Sequence, residues 1–88
     1  MIRRRVVIEG LVQGVFFRDS TRRLARQHGV SGWVANRADG NVEAVYEGDA
    51  DAVERLVSFS REGPRGARVD SVHVTVEEPE GLDGFAVC

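Results

Sequence analysis

The run Val30-Ser31-Gly32-Trp33-Val34-Ala35-Asn36-Arg37-Ala38-Asp39-Gly40-Asn41-Val42-Glu43-Ala44-Val45-Tyr46-Glu47 reads as two extended stretches, 30–36 and 41–47, joined across Asp39-Gly40. Asp-Gly between alternating apolar residues is a strong short-range hairpin signal, because both residues tolerate the positive φ of a tight turn between twisted strands. Upstream, residues 5–12 put Val6, Ile8 and Val12 on one parity, the period of a strand. Gly10 and Gly14 break that run. Phe17, Thr21, Leu24, Ala25 and His28 then recur at spacings of three and four, and Gly29 is a natural helix stop. Downstream, Asp49 or Asp51 can cap a second helix, and Asp51 with Glu54 approaches the capping-box spacing. Val53, Leu56, Val57 and Ser60 form its inner face with Phe59 beside them, and Gly63-Pro64 ends it. Residues 69–77 alternate cleanly, Val72, Val74 and Val76 against Ser71, His73 and Thr75, and a short strand at 85–87 follows.

The order is βαββαβ with one extra strand. Two βαβ-type halves around a central hairpin predict an α+β sandwich of the ferredoxin-like kind: an antiparallel sheet with two helices on one face and a short extra C-terminal strand. The other sheet face is expected to meet solvent, which suits the polar side of residues 69–77. The 88 residues, 42% hydrophobic and 30% charged, suit a single domain spanning 1–88. That architecture alone specifies no activity.

Composition narrows the chemistry. All 12 basic residues are Arg, so Schiff-base chemistry and a lysine-bearing nucleotide loop are excluded. Cys88 is the only cysteine and the last residue, which excludes a disulfide framework, a thiolate metal cluster and a thiol-phosphatase loop with its downstream Arg. His28 and His73 are too far apart in sequence to form a local metal pair. A net charge of −2 and a pI near 5.6 argue against a nucleic-acid or membrane surface driven by bulk charge. With only short apolar runs and no signal-peptide pattern, the chain is expected to be cytoplasmic.

Gly10-Leu11-Val12-Gln13-Gly14-Val15-Phe16-Phe17-Arg18 carries the chemistry. A strand passes through two glycines into the first turn of a helix, where backbone N–H groups and the helix dipole favour an anion. Arg18 follows within the first turn, and its planar fork of donors matches a phosphoryl group. The same spacing also suits a plain βα turn with an exposed Arg.

The run GLVQGVFFR resembles the signature of the acylphosphatase family, as does Gly32-Trp33-Val34-Ala35-Asn36-Arg37-Ala38-Asp39-Gly40-Asn41-Val42-Glu43. Gly48, Gly63-Pro64, Ala67, Val69 and Gly84-Phe85 are similar too, so the resemblance runs along essentially the whole chain. It implies a ferredoxin-like fold and hydrolysis of the carboxyl–phosphate bond of acyl phosphates, with inorganic phosphate as product and no cofactor, metal or covalent intermediate. It also implies roles: the backbone of Gln13, Gly14, Val15, Phe16 and Phe17 cradles the phosphate, Arg18 binds it, and Asn36 positions the attacking water. An amide has no useful proton affinity near neutral pH, so Asn36 orients that water and the proton passes to a phosphate oxygen of the substrate.

Other readings are weaker. His28 lies about ten residues along the helix from Arg18, roughly 15 Å, and suits the helix C-terminus. His73 faces the open sheet with no acidic or nucleophilic partner suggested by the sequence. Asp49-Ala50-Asp51-Ala52-Val53 imitates an aspartyl-nucleophile phosphatase motif, but that chemistry needs an active-site lysine, and helix capping explains the aspartates. Arg3-Arg4-Arg5 and the set Arg22, Arg23, Arg26 suggest RNA, yet no strand combines aromatic and basic residues as base-stacking sheets do. These arginines are expected to be solvated surface, and Trp33 to fill core. A non-hydrolytic phosphate-binding or regulatory module of the same fold is the alternative, including the related domain of carbamoyltransferases that mature hydrogenases; the lack of downstream zinc-finger cysteines argues against the latter. The chain is expected to be a monomer with the terminal strand as an exposed edge.

Overall fold

The hairpin closes where the sequence places it. Arg37 donates its N–H to the Asn41 carbonyl at 2.8 Å, and Asn41 donates its N–H to Asp39 Oδ1 at 3.1 Å. The computed structural model describes residues 1–88. Along the chain run β1 (Ile2–Leu11), α1 (Phe17–Gln27), β2 (Ser31–Asn36), β3 (Val42–Gly48), α2 (Ala50–Glu62), β4 (Arg68–Glu77) and β5 (Phe85–Val87). They form one five-stranded sheet in the order β4-β1-β3-β2-β5.

The four long strands pair antiparallel, as expected. β5 departs from that pattern by joining β2 in parallel, Gly32 opposite Phe85 and Val34 opposite Val87. Parallel neighbours need a long crossover, and here β3, α2 and β4 intervene between them. Because β4 and β5 occupy opposite edges, the strap of residues 78–84 must cross the whole width of the sheet.

Val6, Ile8, Val34, Val42, Ala44 and Tyr46 face the helices and pack against Phe17 and Ala25 of α1 and Val53, Leu56 and Val57 of α2. Phe17 and Phe59 meet with ring centroids 5.8 Å apart, joining the two helices. Burying such a set of side chains contributes roughly 1.5–3 kcal/mol each before chain entropy is subtracted.

Several expectations need correction. β1 begins at Ile2, so it takes in the arginine triplet, and Arg3 is only 3% exposed. Carboxylates explain this: Arg3 pairs with Glu47 at 2.6 Å and Glu77 at 2.7 Å, while Arg5 pairs with Glu43 at 2.7 Å and Glu77 at 2.8 Å. Trp33 is not core. Its odd parity puts it opposite Val34's face, half-buried beneath the Arg5 guanidinium, whose carbon lies 5.6 Å from the ring centroid. On β4, Val72 packs on the core, but Val76 on this edge strand is 71% exposed. Asp49 occupies the N-cap position of α2 without a side-chain bond to the helix, so it and Asp51 act only through the helix field.

Candidate active site

β1 ends in a kink that aims the chain at the site. Its register with β4 shifts between Glu9 and Gly10, and Gly10 has φ 135° with no room for a side chain: a Cβ there would stand 2.1 Å from the Arg68 carbonyl oxygen. Val12 then plugs the core, and the loop turns through Gly14 at φ 74° and Phe16 at φ 63° before α1 begins. A left-handed Phe costs of order 1–2 kcal/mol, the kind of strain that proteins keep at functional sites.

The N–H groups of Gln13, Gly14, Val15 and Phe16 donate to no backbone carbonyl, leaving a run of free donors at the positive end of α1. Gly14, Phe16 and Phe17 line a cleft of about 360 Å³ together with Val12, Arg18, Asp19, Arg22, Asn36 and Val87. Arg18 is half-buried and has no acidic side chain in ion-pair range. Its only hydrogen bond is from Nη1 to the Cys88 carbonyl at 3.2 Å. Asn36, the last residue of β2, is exposed, and its side-chain amide has no protein partner. The fold therefore brings Arg18 and Asn36, 18 residues apart in sequence, to one cleft beside the unpaired amides.

Gln13 and Val15 do not line the cleft. The Gln13 amide nitrogen donates to the carbonyls of Arg37 at 2.8 Å and Asn41 at 3.0 Å, stapling the loop to the β2–β3 turn. Val15 packs against the core. Neither histidine belongs to the site. His28 is the C-cap of α1, and His73 does have an acidic partner after all, Glu9 at 2.9 Å across the β1–β4 pair, with Ser71 bonded to the same carboxylate. These two contacts, Ser71 first, hold the Glu9 carboxyl below its usual range.

Asp19, Arg22 and Val87 are cleft residues that sequence reading missed. Arg18 and Arg22 stand at i,i+4 spacing, the one signal available for Arg22. Val87 reaches the cleft only through the parallel addition of β5, for which no local pattern exists. No group of three His, Cys, Asp or Glu side chains is placed to hold a metal ion.

The acylphosphatase family model matches residues 4–87. A protein of Rubrobacter xylanophilus named acylphosphatase is 59% identical over 85 residues, covering 94% of this chain and 76% of the relative. Another of that name from Thermococcus kodakarensis is 55% identical over 86 residues, covering 98% of this chain and 94% of its own length. The crystal structure of acylphosphatase from Bacillus subtilis superposes with a TM-score of 0.95 at 34% identity, covering 100% of this chain and 99% of that one.

Proposed function

This chain belongs to the acylphosphatase family, and we propose that it hydrolyses acyl phosphates by direct attack of a water held at Asn36 on a phosphoryl group seated between the loop amides and Arg18. The observation that carries the mechanism is the meeting of free amide donors, a guanidinium with no acidic side chain in range and an unpaired carboxamide in one cleft. Phosphoryl transfer depends mostly on positioning and on stabilising charge over the equatorial oxygens. The loop amides at the cleft, those of Gly14 and Phe16, and the Arg18 fork supply both.

In the step itself, the bond from the water oxygen to phosphorus forms while the bond from phosphorus to the acyl oxygen breaks. The electron pair leaves with the carboxylate, a group with a pKa near about 4, so no general acid is needed. The water's proton passes to a non-bridging phosphate oxygen, and Asn36 orients the water throughout. In this scheme the cradle and Arg18 do the work otherwise given to a divalent ion, and the reaction runs without metal or cofactor.

Turnover of a synthetic acyl phosphate in the presence of chelator tests the reading. Arg18→Gln is expected to lower kcat/KM by about 10³-fold or more. Asn36→Ala is expected to lower kcat about 10²-fold while inorganic phosphate still binds as a competitive inhibitor. Phosphate binding by the parent protein without turnover would replace the enzyme with a non-hydrolytic binding or regulatory module. We further read the chain as a single-domain cytoplasmic monomer. No helix is long and apolar enough to cross a membrane, and sedimentation at micromolar concentration tests the monomer.

A further inference from the structure

A second guanidinium shares the cleft and has no part in the scheme above. Arg22 follows Arg18 by four residues, so it lies one turn further from the loop on the same face of α1. β5 runs alongside. Arg18 donates to the Cys88 carbonyl at 3.2 Å and Arg26 to the Phe85 carbonyl at 3.3 Å, which places Arg22 between them at the level of Ala86 and Val87. Of these three arginines, Arg22 alone gives no hydrogen bond to residues 85–88, and it lines the cleft together with Arg18.

Its charge is oriented rather than cancelled. Arg22 Nη2 donates to Asp19 Oδ1 at 2.7 Å, and the other Asp19 oxygen takes Arg23 Nη2 at 3.1 Å. One carboxylate between two guanidiniums leaves a net positive charge, and this bond engages one of the five donors on the Arg22 fork. The Arg22 side chain is 37% exposed, so it is accessible to a ligand. At about 360 Å³ the cleft has room for more than a phosphoryl group. Its loop end offers amides and Arg18; beyond them the wall is Arg22 and Val87.

We propose that Arg22 determines specificity: it receives a second anionic group carried by the acyl portion, so the chain favours acyl phosphates whose acyl chain ends in a carboxylate or phosphate. This rests on the phosphohydrolase reading above. The apolar Val87 beside it accommodates the short carbon chain between the two anions.

Succinyl phosphate and butyryl phosphate form a matched pair, differing at the far end by a carboxylate in place of a methyl. At low ionic strength the parent protein is expected to favour succinyl phosphate in kcat/KM by about three- to tenfold, mainly through KM. In Arg22→Gln that ratio is expected to collapse to one or below, in Arg22→Lys to survive in part, and in added salt to shrink for the parent. An unchanged ratio in Arg22→Gln, or an equal loss of both substrates, would overturn the proposal. Hydrolysis of neither substrate by the parent would instead reject the enzyme reading, and the proposal with it.

Discussion

Glu47 is 1% exposed, yet it remains a carboxylate because every lone pair is occupied. Burial pushes its pKa up, but the Glu80 N–H, the Arg3 guanidinium and the N–H groups of Leu82 and Gly81 outweigh that and hold it at about 2. The three backbone bonds measure 2.9, 3.0 and 3.1 Å. Glu47→Ala leaves three strap amides without an acceptor and removes one of the buried Arg3's counter-charges. It is expected to destabilise the fold by about 3 kcal/mol, read as a lowered urea midpoint. Neither Arg3 nor Glu47 was legible as a buried pair, since they lie 44 residues apart and each resembles an ordinary surface charge. Arg18 and Asn36 were named through the family resemblance; the glycines and the tight turn that bracket them are local features visible in sequence, a trace that a distant charge partner does not leave.

At the scale of elements, hairpin, helices and long strands followed from periodicity and turn residues, because each depends on neighbours a few positions away. The parallel docking of β5 did not, and it carries Val87 into the cleft. The kink at Gly10 is similar: the glycine is visible in sequence, but the backbone approach that demands it belongs to β4. Gly10→Ala combines an unfavourable φ with a clash against the Arg68 carbonyl, and is expected to cost about 2–3 kcal/mol. The same variant should speed amide exchange along the β1–β4 pairing more than along β1–β3. Equal exchange on both sides would mean that the kink is not what holds β4 in register.

For the whole molecule, the sheet face away from the helices is a network of paired charges rather than a bare solvated surface. Besides Glu47, the Glu77 carboxyl is held low by Arg5 and then Arg3, and Glu9 by Ser71 and His73. A carboxyl depressed in the folded state contributes stability that is present above its unfolded value, near 4.5, and is lost as pH falls through its folded one. Urea midpoints are therefore expected to fall steadily from about pH 5 toward pH 2, with a shallower slope in Glu47→Gln. A midpoint constant across that window would contradict the network's role.

The crossing of the strap from one sheet edge to the other also sets an order of events during synthesis. Residues 13–18 leave the ribosome before Asn36, and both precede residues 80–87. The cleft's remaining wall arrives with residues 85–87, and Glu47 must wait for residues 80–82 before its charge is fully compensated. A nascent chain that has emerged only as far as β4 thus carries Arg18 and Asn36 without the Val87 that completes their cleft. The cleft is complete only once the sheet has been closed at its far edge.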